Sequence, residues 1–448
     1  MEVESRELSR RNFVGVVAGA GAAVLGGIGA RTSAQVNTSS DNAPSRRVVV
    51  GVMGTSRTAK GGDGRGAHLA ATLAGLPGVH VSYVCDVDDR NVPKAIESVM
   101  KNAPKGTSAP TGVKDFRKIL DDKSVDGLVI ATPDHWHAPA AILACSAGKH
   151  VYVEKPCCHN PREGQWLVEA AKKHNRLVQH GTQKRTWPGV REAIGRLRAG
   201  DIGRVISCKT FYYSDRNTIG KGKPAEVPSW LDWEMWQGPA PKKPFRDNYV
   251  HYNWHWFWHW GTGEIGNNGV HFIDVARWGL DVDCPKTVSY TGGKYRFPED
   301  DQQTPDTSTA VYDFGDKLLT WENRSWGAQT PVDPMHEILF AGEKGYLGIK
   351  GGGYMIYDLK GKQIAKGSGD AGEAQHLNNF VEAIRGNATL HAPIDEGVKS
   401  VLLCHLGNIS YRTGRTLHLD PQSHTITEDK EATALWGREY RPGFEPKV

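Results

Sequence analysis

Val48-Val49-Val50-Gly51-Val52-Met53-Gly54 is the stretch that decides the fold. A continuous apolar, β-branched run ending in glycine suits a strand buried on both faces, as in a parallel sheet. Gly61, Gly62, Gly64 and Gly66 follow, and a helix begins near Ala67. Further on, strand-like segments at 80–85, 126–131 and 150–153 alternate with helical ones at 92–100 and 138–147. Strand–helix alternation with short connections predicts an α/β, doubly wound sheet, with ligands at the carboxyl ends of its strands.

The glycine-rich turn after the first strand has a specific use in such a sheet. Backbone N–H groups and a helix N-terminus can approach a pyrophosphate only where no Cβ intervenes. The fingerprint G-x-G-x-x-G is imperfect here. Gly54-Thr55-Ser56 carries serine in the second glycine position, and an insertion moves the remaining glycines to 61–66. A flexible surface loop would have the same composition. Asp86 tips the reading, because it closes the second strand about 20 positions after Gly66, where a carboxylate accepts bonds from an adenosine ribose diol. It also repels a 2′-phosphate, so NAD is expected over NADP. The plainer alternative is a turn or capping aspartate.

Composition sets the outer bounds. The chain has 448 residues, enough for two large domains, and its 39% hydrophobic content together with 52 glycines is an ordinary globular balance. That excludes wholesale disorder and a fibrous repeat. A net charge of +5 is too mild for the basic stripe that nucleic-acid binding needs. The seven cysteines, odd in number and without C-x-x-C spacing, argue against a disulfide framework and a structural zinc site.

The first residues read as an address. Arg10 and Arg11 precede a Gly/Ala-rich run at 13–30, which closes at Thr32-Ser33-Ala34, a small-x-small cleavage pattern. Residues 1–34 resemble a twin-arginine export signal. An uncleaved anchor is the alternative, disfavoured by the glycine and alanine content. Residues 35–46 then form a disordered linker. The expected organisation continues with a dinucleotide-binding domain at 47–175 and a substrate-binding and oligomerisation domain at 176–448. The expected location is the periplasm, with the twin-arginine export machinery as a partner.

Chemistry gathers at the later strand ends. One strand ends in Thr132-Pro133-Asp134-His135-Trp136-His137, and the next in Glu154-Lys155-Pro156. A lysine at the rim of a cofactor cleft, near a positive nicotinamide, has a lowered pKa and can take a proton from a hydroxyl as hydride leaves the same carbon. A Glu154–Lys155 salt bridge without a catalytic role is the alternative.

Here the sequence resembles the Gfo/Idh/MocA family of glucose-fructose oxidoreductases and inositol dehydrogenases, from Arg47 to about Asp420. The resemblance implies an N-terminal Rossmann domain and a C-terminal α/β domain with an open, mostly antiparallel sheet. It places the catalytic lysine at Lys155 and matches Thr132, Pro133 and His137 to the family's Thr-Pro-x-x-x-His pattern. Gly54, Thr55, Ser56, Gly64, Gly66, Asp86, Thr132, Pro133, His137, Glu154 and Lys155 are thereby assigned to the cofactor. The stretch 263–274 looks like the family's second catalytic segment, with an acid and a histidine four positions apart. The acid falls on Asn267 and the histidine on His271. An amide can orient a hydroxyl but cannot carry a proton away, so proton transfer falls to Lys155, with His271 as relay or hydroxyl-binding group. The two share one helical face, which favours the site over the alternative of a helix-start histidine bonded to backbone.

The stretch 178–185 looks like the family's crossing strand and puts Gln183 and Arg185 near the substrate. Segments 307–314, 317–323 and 337–341 alternate apolar and polar residues, as a half-exposed antiparallel sheet does. Two amphipathic helices near 376–385 and 396–412 are expected to close that domain. Half of the 14 tryptophans lie between Trp230 and Trp260. Indole faces beside hydrogen-bonding groups suit a sugar, although most of these rings are expected to be core, and only Asn253 and Trp254 are assigned to substrate. His251, His255 and His259 recur every four residues. The stretch is crowded with rings and lacks a carboxylate until Glu264, so no metal is expected.

These readings converge on an exported NAD-dependent sugar or polyol oxidoreductase, homo-oligomeric as the resemblance implies. Its nucleotide would be tightly held and recycled, because fresh NAD is scarce outside the cell. The alternative is a redox-neutral NAD-dependent glycosidase or lyase that oxidises a sugar transiently, eliminates the glycosidic substituent and reduces the product again. His271 or Tyr252 would then take the C2 proton.

Overall fold

The computed structural model describes residues 47–56, 62–328, 335–420 and 422–448. The expected export signal at 1–34, the linker at 35–46 and Gly61 lie outside the described residues.

Six strands, β1 (Val48–Met53), β2 (Val79–Cys85), β3 (Thr111–Val113), β4 (Gly127–Ile130), β5 (His150–Val153) and β6 (Val178–His180), form a parallel sheet. Their order is β3-β2-β1-β4-β5-β6, so the winding reverses between β1 and β4. A crevice opens at such a switch point, outside the carboxyl ends of the strands. Valine-rich β1 and β4 are buried on both faces because helices lie on both sides. α1 (Arg65–Ala74) and α2 (Asn91–Asn102) pack on one face. α3 (Arg117–Asp121), α4 (Asp134–Ser146) and α5 (Pro161–Lys173) pack on the other.

The β1–α1 connection explains its glycines. Gly54 has φ +88, and a Cβ there would stand 2.6 Å from the carbonyl oxygen of Ala131. A Cβ on Gly66 would stand 2.1 Å from the carbonyl oxygen of Gly54, so the helix can close on the strand only without a side chain. The sheet also runs past the boundary of 175 expected from the sequence. β6 pairs with β5, and the first domain extends through His180. Three residues are too few to register as a strand period.

The second domain begins with α6 (Pro188–Arg198), β7 (Val205–Tyr213), α7 (Trp233–Gln237) and α8 (Val270–Leu280). The strands β8 (Thr287–Gly293), β9 (Thr307–Asp313), β10 (Leu318–Arg324), β11 (Ile338–Gly342), β12 (Gly345–Lys350), β13 (Gly353–Asp358) and β14 (Gln363–Ser368) follow. Next come α9 (Glu373–Ile384), α10 (Ile394–Thr413), β15 (Leu417–Asp420) and β16 (Thr425–Ile426). Ten strands make one sheet in the order β14-β13-β12-β11-β7-β10-β9-β8-β15-β16, antiparallel except where β10 runs parallel to β7. Alternate residues such as Ala310, Tyr312, Leu319, Trp321, Ile338 and Phe340 point into a core shared with α6, α8 and α10.

Two sequence expectations need correction. The helix near 376–385 does not close the second domain. As α9 it returns to the first sheet, where Leu377, Phe380 and Val381 join Val48, Val50 and Leu73. Amphipathicity says that a face is buried, not against which sheet. Arg185, expected at the substrate, is instead a structural cation. Its Nε lies 3.0 and 2.8 Å from the two oxygens of Asp274 on α8, and the pair is almost wholly buried. Most of the aromatic surplus is core, as expected: Trp233, Trp236, Phe245, Tyr249, Phe257 and Trp260 form a compact cluster, with Trp233 and Trp236 stacked at 4.8 Å.

Removing one partner of a buried ion pair strands the other charge. Arg185→Met is therefore expected to lower stability by about 3–5 kcal/mol in urea unfolding. Gly66→Ala, which drives a methyl group into the Gly54 carbonyl, is expected to lose about 1–3 kcal/mol in the same measurement.

Candidate functional site

A cleft of about 1200 Å³ opens at the carboxyl ends of β1, β2, β4 and β5 and is walled on the far side by the aromatic stretch at 251–256. At its nucleotide end stand Gly54, Ser56 and Gly64. A Cβ on Gly64 would lie 2.3 Å from the carbonyl oxygen of Ser56, and among the described residues no side chain caps the first turn of α1. A pyrophosphate needs such a bare backbone, and Gly54, Ser56 and Gly64 at the start of α1 fit one. Thr55 and Gly66, assigned to the cofactor from the sequence, do not line the cleft. Thr55 is fully buried, and Gly66 serves the strand–helix packing.

Asp86 lies where a ribose acceptor is needed. Its Oδ1 accepts from the amide of Asp88 at 2.9 Å and from Asn91 at 3.4 Å. The second oxygen has no hydrogen-bond partner among the described residues. Burial raises its pKa to about 6, although the Asp88 amide and nearby His251 pull the other way, so the carboxylate is ionised at neutral pH. Asp88 accepts from His251 and from Arg90, whose guanidinium lies 3.4 Å over the ring of Trp230.

At the other end, Lys155 follows β5. Its Nζ donates to the main-chain oxygen of Asn267 at 2.6 Å and to Asn267 Oδ1 at 3.0 Å. Burial pulls its pKa below the usual lysine range; Glu154 and Asp134 oppose that shift, and Arg65 reinforces it. The Glu154–Lys155 salt bridge, the alternative to a catalytic lysine, does not form. Glu154 instead accepts from Arg65 Nε at 2.8 Å and Nη2 at 2.5 Å, while Arg65 Nη1 reaches Glu373 at 2.7 Å. Burial would raise the Glu154 carboxyl, but Arg65 first, with Lys155 and His137 beside it, holds the carboxyl below its ordinary range. Thr132, Pro133 and His137 also line the cleft. The ring nitrogens of His137 lie 2.6 Å from the carbonyl oxygen of Pro156 and 2.8 Å from that of Thr132, clamping the two strand ends together.

Asn267 lies in one π-helical turn, Ile265–Gly269, immediately before α8. Wide turns of this kind free main-chain groups for other partners, and here the Asn267 oxygen meets the lysine. His271, four positions on, lies in the first turn of α8. His271 is half-buried and does not line the cleft. Burial and the neighbouring Lys155 charge hold its imidazole well below its ordinary pKa.

The other substrate candidates divide similarly. Trp254 lines the cleft, its ring stacked on His255 at 3.6 Å. Asn253 turns inward and donates to the carbonyl oxygen of Asn248 at 2.9 Å. Gln183 lies in a short 3-10 turn outside the cleft, its amide oxygen enclosed without a partner. Arg185 is spent on Asp274. Residues 253–256 also form a 3-10 turn, so the three histidines share no face. His251 meets Asp88, His255 the Tyr252 carbonyl and His259 the Pro241 carbonyl.

Sequence reasoning missed three groups. Arg65 gives no local signal, since its carboxylate partners are 89 and 308 positions away. Asp134 lines the cleft and accepts from the Thr262 hydroxyl at 2.7 Å, and burial raises it to about 7. The only sequence signal was its place inside the strand-end motif. Arg216, clamped by buried Glu264, donates to the Tyr252 hydroxyl at 2.7 Å, and Tyr252 is half exposed in the cleft.

Comparison with known proteins agrees with this architecture. Residues 45–182 match the Gfo/Idh/MocA oxidoreductase family's NAD-binding Rossmann fold, and residues 204–331 match that family's C-terminal alpha/beta domain. A levoglucosan dehydrogenase of Pseudarthrobacter phenanthrenivorans is 30% identical over 164 residues, 37% of this chain and 35% of that one. A glycosyl hydrolase family 109 protein of a Shewanella species is 31% identical over 175 residues, 37% of each chain. The chain thus spans little more than a third of the length of these curated relatives. The fold of a WlbA dehydrogenase from Chromobacterium violaceum, solved with NADH and UDP-GlcNAcA, superposes with a TM-score of 0.63 at 18% identity, covering 84% of this chain and 97% of that one. The two matched segments together take in more than half of the sequence, and the chain belongs to the Gfo/Idh/MocA oxidoreductase family.

Proposed function

We propose that the protein is an exported NAD-dependent oxidoreductase that oxidises a hydroxyl-bearing carbon of a sugar or polyol. The observation that carries this reading is the Lys155 amine, held on Asn267 at the cleft's inner end with its pKa lowered. Bound in the cleft, NAD supplies the carbon that accepts the hydride. Lys155 takes the hydroxyl proton, which requires the neutral amine, so the rate rises as pH passes upward through the lysine pKa. The Asn267 amide orients a neighbouring hydroxyl, and the Trp254 ring offers a flat face for sugar C–H groups. Arg65 is committed to two carboxylates and Arg216 to Glu264, which favours an uncharged polyhydroxylated substrate.

Export through the twin-arginine route rests on Arg10, Arg11 and the apolar run that follows. It is the reason to expect a nucleotide held through repeated turnovers, in an enzyme that works as a homo-oligomer.

A second reading has its own support. Tyr252, exposed in the cleft with its oxygen on Arg216, is placed to take a C2 proton. Oxidation at C3 acidifies that proton, the glycosidic substituent leaves, water adds, and re-reduction at C3 returns the hydride with no net redox change. The similarity to a glycosyl hydrolase family 109 protein is in keeping with it.

One assay separates the two. Purified protein with NAD is given a panel of free sugars, polyols and glycosides while reduced-nicotinamide absorbance and sugar products are followed together. Reduced cofactor growing in step with oxidised sugar is the expected outcome, and glycoside cleavage without net reduction would establish the second reading. Lys155→Met is expected to abolish turnover in either case while NAD binding, read by tryptophan fluorescence, persists. Asp134→Asn removes a carboxylate that favours the charged lysine, so the acid limb of the kcat/KM profile is expected to move to lower pH.

A further inference from the structure

We infer that Arg65 is the positioning residue that keeps Lys155 free to act as a base, by holding Glu154 in an ion pair that would otherwise belong to the lysine. The inference rests on the reading of Lys155 as the proton acceptor and adds a residue that no sequence motif marks.

The argument is one of competing partners. Glu154 is 3% exposed, and an ionised carboxylate buried to that degree must be met by donors or a cation. Two cations are within its reach, Lys155 next in the chain and Arg65 at the first turn of α1. Arg65 takes it with two nitrogens on Oε1, and its third reaches Glu373 at the start of α9. The Tyr152 hydroxyl, 3.3 Å from Glu154 and 3.2 Å from Glu373, closes the group. Lys155 is left with neutral acceptors only, the carbonyl and amide oxygens of Asn267. A lysine held by dipoles sheds its proton more readily than one held by a carboxylate.

The other charged groups around the lysine leave this balance in place. Asp134 attracts its proton but is itself raised by burial, and Glu264, which accepts from the Asn267 amide, is already paired with Arg216. His271, His137 and His255 are all held below their ordinary pKa by burial, hence neutral near pH 7. Without Arg65, Glu154 would turn to Lys155. A carboxyl is far the stronger acid of the two, so the proton would stay on the amine, now charged and paired.

The test reads the amine directly and needs no substrate. Full-length protein is acetylated with trace acetic anhydride over a range of pH, and the modification of Lys155 is quantified by peptide mass spectrometry. Lys149, buried with its amine on the carbonyls of Asp122 and Val125, reports in the same digest that the first domain is folded. In Arg65→Met the midpoint for Lys155 is expected to rise by about one pH unit, a roughly tenfold slower labelling at pH 7, with Lys149 still protected. Arg65→Lys, one ammonium in place of a fork, is expected to fall between the two. In a Glu154→Gln background most of the effect of Arg65→Met should vanish, since its route is through Glu154. An unchanged or lowered midpoint in Arg65→Met, or an undiminished shift in the Glu154→Gln background, would overturn the proposal. If labelling behaves as expected and no sugar is oxidised, the arginine's role stands and the dehydrogenase reading fails.

Discussion

A negative charge buried at the end of a parallel strand has to be answered, and much of this site follows from which cation answers Glu154. The strand is covered on both sides, so water cannot serve. Arg65 does so from the first turn of α1, and it reaches Glu154 because the glycines at 54, 64 and 66 let helix and strand ends approach more closely than any side chain would permit. The same guanidinium needs a second carboxylate, Glu373, which arrives only because α9 crosses back from the second domain onto the first sheet. Backbone approach, charge and topology therefore meet at one side chain.

The second domain contributes from the opposite side. Its sheet and α10 hold α8, and the π-helical turn before α8 presents the Asn267 oxygen to Lys155. Arg185 and Asp274 fasten that helix to the segment leaving β6, and Ser400 on α10 also donates to Asp274. The lysine is thus held between domains, with its stem just after β5 of the first and its amine on the second. A displacement between them would alter both its position and its acidity. Asp86 keeps one oxygen open at one end of the cleft, whereas Glu154 beside Lys155 is occupied by Arg65.

Elements with a strong local pattern were legible in the sequence. The valine run of β1, the alternating strands β9 to β11 and the carboxylate ending β2 each carry periodicity or spacing that no tertiary context overrides. The strand-end motifs at 132–137 and 154–156 named groups that do face the cleft: Thr132, Pro133, His137, Glu154 and Lys155. Spacing along the chain did not by itself place every candidate. Asn267 and His271 were both assigned to the substrate, and of the two Asn267 lines the cleft and His271 does not. His251, His255 and His259 had helical spacing on a chain that is not helical there. Arg185 carried the chemistry of a substrate ligand but found a buried carboxylate first.

The sequence by itself determined that a glycine turn, an acidic strand end and a Glu-Lys-Pro strand end would lie along one edge of a parallel sheet. In such a sheet every strand points the same way, so its carboxyl ends converge without further information. Only the tertiary structure decided how the charges on that edge are paired. Glu154 has its neighbour Lys155 in sequence, yet its partner in space is Arg65, 89 positions away, with Glu373 a further 219 from Glu154. Ion pairing depends on distance and burial, and neither is written in the order of residues.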